Sequence, residues 1–330
     1  MKLLILDGNS VINRAFFGVK PLTTREGLYT HAIYGFLNIL DRMEREEQPD
    51  AVCVTFDLQG PTFRHLKYDG YKATRHGMPE ELAMQMPVMK DVLRAMNIPI
   101  YECQGWEADD IIGTVGRICS NNDWECVIVT GDRDSLQLID ENVHIKLVIT
   151  KGGQTTANLY TKERFMEEYG FEPKKMVDLK ALMGDSSDNI PGVPSIGEKT
   201  ATKIIVEYGS IENAFEHVSE LKPPRAAKAL EEHYDLAQMS KTLATIETNA
   251  EIEYDITKAR LEQIADLYTE EAYVYFQRLQ FKNLLSRFEV SGPSNKVEDS
   301  FKKVIEQKEA EEKRMFEIKQ QKRREKHKGH

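Results

Sequence analysis

The chain has 330 residues, 41% of them hydrophobic and 30% charged, with a net charge of −10. That is the balance of a globular protein with one large core or two modest ones, and it excludes disorder of the whole chain. The longest apolar runs, KLLIL, AVCVTF and CVIVT, are too short to cross a membrane, Asp7 interrupts any leader-like start, and four scattered cysteines without a C-x-x-C pair exclude zinc and disulfide frameworks, so the expected setting is the cytoplasm with no membrane partner.

Residues 2–6 form a continuous apolar run that ends at Asp7, the pattern of a buried strand presenting a carboxylate at its C-terminal end. Helical spacing follows over 10–17 and 32–45, then a second buried strand over 51–56 ending at Asp57. Residues 60–86 interleave Arg64, His65, Lys67, Lys72, Arg75 and His76 with Phe63, Tyr68 and Tyr71. Such a stretch serves either as an amphipathic cover of the core or as a nucleic-acid contact. A helix is expected over 86–96 and a third strand over 98–103.

GWEADDII then puts Glu107, Asp109 and Asp110 in one turn at a helix start. The helix dipole accounts comfortably for one or two of these acids, less so for three. On a regular helix Glu107 and Asp109 diverge, so they serve one metal only if the helix start is irregular. A fourth buried strand over 126–130 ends in Gly131-Asp132-Arg133-Asp134, and 143–149 with 155–160 read as a hairpin.

From Thr161 the pattern is largely helical: 162–169, 176–183, 199–208 with Gly209 as its C-cap, 211–215 and 226–244. A short strand is expected within 245–254 and an aromatic-rich helix over 261–285, and residues 296–330 are a charge-dense tail, helical or disordered. Within this region GDSSDNIPGVPSIGEKTA, residues 184–201, runs two acids into a Gly/Pro-punctuated turn and a new helix. If Asp185 and Asp188 lie on one helical turn, both face a shared cation. Gly192, Pro194 and Gly197 break any helix and leave backbone N–H groups at the next helix start, a ready phosphate site. DSSDN is also ordinary loop composition.

Alternating strands and helices imply an α/β fold with a central, mainly parallel sheet flanked by helices. The strand ends then gather Asp7, Asp57, Asp132 and Asp134 at one edge, joined by Glu107, Asp109 and Asp110. Carboxylates crowded without an interleaved base raise one another's pKa, and hard cations resolve the conflict. Oxygen-only ligands suit two Mg²⁺ or Mn²⁺ ions, which clamp an in-line phosphodiester hydrolysis. These seven acids together with Asp185 and Asp188 account for all but one of the net negative charges, so the overall acidity does not exclude a nucleic-acid partner. An aspartyl-nucleophile phosphatase wants D-x-D at the first strand, where this chain reads Asp7-Gly8-Asn9.

LDGNS, TFD at 55–57, FRHLKYDGYKATR, EADD, TGDRD and GDSSDNIPGVPSIGEKTA occur in this order. Together they resemble the 5′-3′ exonuclease domain of bacterial DNA polymerase I, and more broadly the flap endonuclease and phage 5′-nuclease family, over residues 1–290. The resemblance implies a PIN-like 5′-nuclease core over 1–173 with a helical arch at about 60–96, a helix-three-turn-helix DNA-binding domain with return helices over 174–291, and a charged tail over 292–330. It implies a monomeric, bacterial, nucleoid-associated nuclease acting on DNA with a 5′ flap, a nick or a duplex 5′ end, and on RNA primers. Asp7, Asp57, Glu107 and Asp109 surround one metal, with Asp110 helping through water, and Asp132, Asp134, Asp185 and Asp188 surround the other. Lys72 and Arg75 match arch residues that act on the scissile phosphate, and Arg14 matches a phosphate contact. The turn from Gly192 and Val193 through Ser195, Ile196 and Gly197 to Lys199 matches the DNA-gripping hairpin, in which backbone carbonyls, here those of Val193 and Ile196, hold K⁺.

Three positions depart from the family pattern. Asn13 stands where several relatives carry a base-stacking Tyr, His31 where Asn is frequent, and Ser195 replaces a turn glycine, which is tolerated if its φ stays negative. No polymerase motif is present, so the chain reads as a stand-alone nuclease or a fragment. A junction-binding module without catalysis and a short toxin-type ribonuclease are the competing readings. The first is disfavoured by the complete set of acids, the second by the chain length and the hairpin.

Overall fold

The computed structural model describes residues 1–288 except 153 and 256, together with 306, 310 and 313–315; most of the charged tail expected over 292–330 lies outside the described residues. The chain divides into two compact units, Met1–Asp266 and Leu267–His330.

The first unit is built on a six-stranded sheet. The elements run β1 (Lys2–Asp7), α1 (Gly8–Gly18), α2 (His31–Glu47), β2 (Ala51–Thr55), α3 (Phe63–Lys67), α4 (Glu80–Ala95), β3 (Ile100–Tyr101), α5 (Ala108–Asn121), β4 (Glu125–Thr130), β5 (Val143–Lys151) and β6 (Gln154–Tyr160). They continue with α6 (Lys162–Tyr169), α7 (Met176–Met183), α8 (Glu198–Tyr208), α9 (Ile211–Glu216), α10 (Pro224–Glu232) and α11 (Tyr234–Ala244). Strand order is β3-β2-β1-β4-β5-β6, parallel except for the antiparallel β5/β6 hairpin. β1 and β2 are apolar and almost wholly buried, as strands covered on both faces must be.

This order fixes the site. The chain winds from β1 outward through β2 and β3, then returns to add β4 on the other side of β1. The direction of winding therefore reverses between β1 and β4, where open α/β sheets leave a crevice at the strand C-termini. Asp7 stands in register with Thr55, and Leu6 with Val129, so the residues that follow β1, β2 and β4 emerge at one edge.

The core is continuous across the sheet and the later helices of this unit. Leu3, Ile5, Ile111 and Ile128 belong to the same buried cluster as Leu179, Leu182, Val193, Ile196, Ile204 and Leu230. The turn after Asp188 is therefore packed into the same interior as the sheet. Its closest backbone approach joins two glycines: a Cβ on Gly192 would lie 2.3 Å from the Gly184 nitrogen, and both residues have positive φ, +63° and +73°. The Gly192 N–H donates to Ser240 Oγ on α11, and the Val193 N–H to the Leu182 carbonyl on α7.

Several expected elements differ. The third strand shrinks to two residues, bounded by Pro99 and by Asn97 in the left-handed region. α4 begins at Glu80 and runs through Pro87. The helix expected over 226–244 breaks at His233 into α10 and α11. No strand forms within 245–254. Side chains of α5 and its neighbours take up that segment's backbone instead: Ala250 N–H donates to Thr114 Oγ1, Ile246 N–H to Gln137 Oε1, and the Thr248 carbonyl accepts from Arg117 Nε. Within the second unit, the described helix α12 spans only Glu270–Arg278, capped by Thr269 Oγ1, and Phe276 and Tyr273 pack on Phe288.

Gly192→Ala is expected to lower stability by about 2–5 kcal/mol, because a side chain there combines a left-handed backbone with a backbone clash. A urea titration checks this, and Gly197→Ala, whose Cβ meets nothing within 4 Å, is the control.

Candidate active site

Asp7 closes β1 and caps α1. Its Oδ1 accepts from Ser10 N–H at 3.0 Å and its Oδ2 from Thr130 Oγ1 at 2.8 Å, so β1, α1 and β4 meet on one carboxylate. Asp132 caps the 3-10 turn after β4 by accepting from Asp134 N–H at 2.9 Å. Asp57, at the end of β2, accepts from Ala108 N–H at the start of α5 at 2.7 Å, and its own N–H donates to Asn9 Oδ1. Asp109 comes from the first turn of α5, and its Oδ1 is buried without a hydrogen-bond partner.

These groups burden one another. Burial raises the Asp7 carboxyl to about 7, helped by the charges of Asp57 and Asp132 and opposed by Ser10 and Thr130. Burial pushes Asp109 well above the usual carboxylate range, and Asp7 and Asp132 push it further. Asp57 is raised by desolvation of its carboxylate and by Glu107, against the pull of Ala108 N–H and Lys72. Asp134 is held at about 7 by burial and by Asp132, with Lys180 pulling the other way.

The protein's own cations stand on Asp134 and on the remaining acids Glu107, Asp185 and Asp188. Lys180 Nζ lies 2.7 Å from Asp134 and 2.5 Å from Asp185. Burial works against ionised Asp185, but Lys180 and Ser187 outweigh it and hold this carboxyl below its usual range. Lys72 Nζ lies 2.8 Å from Glu107 Oε1, and Arg75 pairs with Asp188. Tyr71 Oη donates to Glu107 Oε2 at 3.0 Å and reaches Asp188 Oδ2 at 3.4 Å. The Lys72 N–H donates to the Asp188 carbonyl, and Asn189 Nδ2 to the Gly70 carbonyl, so the basic segment is laced to the acidic loop along its backbone.

Asp110, expected to help a metal through water, faces the other way. It is fully buried, with both oxygens on Arg64: Nη1 to Oδ2 at 2.8 Å and Nη2 to Oδ1 at 2.7 Å. It also accepts from the Glu107 and Glu247 N–H groups. Arg64, 2% exposed, spends its other donors on Glu107 Oε2 and the carbonyls of Leu243 and Thr245. Glu107 itself lies outside the helix as an extended cap residue, so it diverges from Asp109. It faces Arg64, Tyr71 and Lys72, while Asp109 faces Asp7 and Asp132.

Asp185 and Asp188 do not share a helical turn. They sit in a loop closed by a two-way backbone pair between Asp185 and Ile190, and they face different cations. Residue-type reasoning named Arg64 and Tyr71 only as members of the basic and aromatic stretch, and gave no role to Thr130 and Lys180. A lysine five residues before Asp185 on a helix was the available signal for the last, whereas Arg64 looked like one more surface cation in a basic stretch.

Among the described residues, no three His, Cys, Asp or Glu side chains are already gathered around a common cation position. The donor chemistry nonetheless fits a hard cation. All the donors are oxygens, Asp109 Oδ1 lacks any partner, and burial with mutual repulsion raises Asp7, Asp57 and Asp109. Asp7, Asp57, Asp109 and Asp132 are the side chains able to hold such an ion.

Beyond the acids, Arg14 Nη2 donates to the Gly131 carbonyl at 3.0 Å. In the turn, Ser195 has φ +71°, so the negative φ expected to make this serine tolerable is not adopted; its hydroxyl accepts from Arg225 Nη2 at 3.0 Å. Gly197 caps α8, whose first N–H groups have no carbonyl one helical turn back to bond. Beside it an open groove of about 580 Å³ is lined by Lys199, Thr200, Lys203, Lys222, Pro223 and Pro224. The Val193 carbonyl accepts from Ile196 N–H at 3.1 Å.

Residues 2–170 match the model of the 5′-3′ exonuclease N-terminal resolvase-like domain, and residues 171–266 that of the 5′-3′ exonuclease C-terminal SAM fold. The chain belongs to the 5′-3′ exonuclease family. Relatives of this family member include DNA polymerase I of Caldicellulosiruptor bescii, 43% identical over 291 residues, and that of Bacillus subtilis, 41% identical over 286 residues. The matches cover 88% and 87% of this chain but 34% and 32% of those proteins, so it spans about a third of their length. The fold is shared with T5 5′-exonuclease bound to zinc ions, at TM-score 0.61 and 20% identity over 87% of this chain and 99% of that one. It is also shared with the catalytic core of Rad2 in complex with a DNA substrate, at TM-score 0.56 and 16% identity over 88% and 92%. The mainly parallel sheet flanked by helices and followed by a helical region is thus the fold of this family. Among the described residues, no helix is long and apolar enough to cross a membrane.

Two outcomes follow from the electrostatics. Arg64→Met leaves Asp110 buried without its cation, and Glu107 with Lys72 alone, and is expected to cost about 3–5 kcal/mol in a denaturant titration. For Asp7 and Asp134, whose carboxyls are raised, the sign is opposite. Between the unfolded carboxyl value near 4 and about 7, folded Asp7 and Asp134 hold more protons than the unfolded chain, so rising pH weakens the fold through them. With divalent ions chelated, Asp109→Asn is therefore expected to raise Tm above pH 7 and to leave it unchanged near pH 4. A Tm that drops above pH 7 contradicts the assigned repulsion.

Proposed function

We propose that this chain is a structure-specific 5′ nuclease that hydrolyses phosphodiester bonds of DNA, and of RNA primers, at 5′ flaps, nicks and duplex 5′ ends. The observation that carries this reading is the crowd of mutually raised carboxylates at the point where the sheet reverses its winding, with Asp109 Oδ1 left unpartnered. The zinc ions of the T5 relative and the DNA substrate of the Rad2 core support it.

In this reading Asp7, Asp57 and Asp109 serve one Mg²⁺ or Mn²⁺ ion, joined by Glu107 once Lys72 turns away from it, and Asp132, Asp134, Asp185 and Asp188 serve a second once Lys180 and Arg75 release the acids they hold. Asp110 serves at one remove, by fixing Arg64 and the Glu107 backbone. Bound ions of this kind supply charge neutralisation for the attacking and leaving oxygens of an in-line displacement. The chain's own cations do the rest. Lys72 and Arg75, which here stand on Glu107 and Asp188, are close enough to turn toward a scissile phosphate and offset the charge it gathers in the transition state. Arg14 holds a neighbouring phosphate. The N–H groups that open α8 and the Lys199 side chain grip the duplex backbone without reading bases, with the carbonyls of Val193 and Ile196 as the candidate K⁺ ligands.

Asp132→Ala and Asp185→Ala are each expected to abolish Mg²⁺-dependent cleavage of a 5′-flap DNA while leaving flap binding measurable in a gel shift. Full cleavage by both would falsify the assignment. Lys72→Ala is expected to slow a single turnover by about 100-fold or more with a much smaller change in binding; an unchanged rate removes Lys72 from the reaction.

A further inference from the structure

The basic and aromatic stretch contributes Lys72 and Arg75 to the proposed reaction, and this leaves its N-terminal end, around α3, without a role. That end forms a lip beside the acids, joined to them where Arg64 reaches Glu107. The loop after β2 and the loop before α5 meet there so closely that a Cβ on Gly60 would lie 2.6 Å from Gln104 Nε2. Phe63 and Trp106 meet across the same seam, with ring centroids 5.6 Å apart and planes inclined at 59°. Each ring is one residue away from a member of the buried Arg64–Glu107 ion pair, so both are tied to the rim of the acid cluster by a buried, fully bonded guanidinium.

The two rings are not equivalent. Phe63 has the Arg64 guanidinium 4.4 Å from its centroid and the Lys67 ammonium 5.8 Å away, which fixes it as a brace. Trp106 is half-buried, and among the described residues no cation stands over it. Around the pair, Leu66 is 82% exposed and Lys67 is exposed. The lip therefore combines an available indole, exposed apolar surface and one cation, Lys67, for which no ion pair is formed among the described residues. A duplex keeps its base faces covered by stacking, and an apolar protein surface would leave Lys67 uncompensated; an unpaired strand supplies both a free base face and a phosphate.

We infer that Trp106, braced by Phe63, is a stacking platform for an unpaired nucleobase of the strand leaving the cleft, with Lys67 on the adjoining phosphate. This rests on the nuclease reading and adds to it a means of telling a flap from a flush end. One aromatic stack gives about 5- to 150-fold in affinity, with little dependence on which base is presented.

The chain has two tryptophans, so Trp124→Phe leaves Trp106 as the sole indole emitter. This variant is titrated, with divalent ions chelated, with a duplex bearing a thymidine flap and with the same duplex bearing an abasic flap. The thymidine flap is expected to quench Trp106 and the abasic flap to leave it unchanged. In turnover, Trp106→Ala is expected to raise KM for flap DNA about 5- to 150-fold with kcat within about twofold and no change on an unflapped nick, and Trp106→Phe to recover most of the loss. Equal responses to the two flaps, or no response while flap cleavage proceeds, overturn the platform; the two-flap comparison decides even where Trp106→Ala fails to fold. Quenching confined to the thymidine flap, in a protein that cuts no flap DNA with Mg²⁺ or Mn²⁺, overturns the nuclease reading and keeps the platform.

Discussion

Repulsion between carboxylates buried at one sheet edge is the constraint on which this structure turns. Asp7, Asp57, Asp109 and Asp132 are delivered to that edge by three strand ends and a helix start, where burial and the neighbouring charges make Asp7, Asp57 and Asp109 harder to ionise. Such an arrangement opposes folding, so it persists only because the surroundings are rigid enough to impose it. The rigidity is visible in the anchors. Asp7 is fixed by Ser10 and Thr130, Asp57 by the α5 backbone, and the other flank of α5 is held by Arg64 through Asp110. Glu107 and Asp110 thus stabilise the frame within which Asp109 is destabilised.

The acids divide by how they are compensated. Among the described residues, Asp7, Asp57 and Asp109 pair with no cation and are left above their ordinary pKa; Glu107, Asp134, Asp185 and Asp188 carry Lys72, Lys180 and Arg75, and of these Asp134 alone is still raised. The division follows the topology. The first set rises from the parallel sheet, where the surrounding residues are apolar, whereas Asp185 and Asp188 belong to a loop that neighbouring basic segments reach from α7 and from the residues after α3.

Much of this was legible in the residues. The apolar runs ending in Asp7, Asp57 and Asp132 announced buried parallel strands with acids at a common edge, because a strand covered on both faces admits no other composition. What a linear pattern does not carry is the direction of a side chain once tertiary partners compete. Asp110 looked equivalent to Asp109 until Arg64 claimed it, and Arg64 was indistinguishable from its exposed neighbours because no periodicity marks a buried guanidinium. Spacing of three residues suggested that Asp185 and Asp188 face together, but the loop between them closes on Ile190 and separates them. Weak elements failed for a related reason: the segment 245–254 satisfies its backbone through Thr114, Gln137 and Arg117, which no local propensity encodes.

The contact between Gly184 and Gly192 joins the acidic loop to the turn that opens α8 with no side chain between them, and Val193 and Ile196 root that turn in the common core. A joint made of two touching backbones has no compliance to lend. In the proposed reaction it is a caliper whose jaws are the α8 N-terminus and the Asp185–Asp188 loop, with one setting for every strand admitted. In that reaction the severed bond is then chosen by counting from the grip, so a lengthened turn moves the cut by whole nucleotides rather than blurring it.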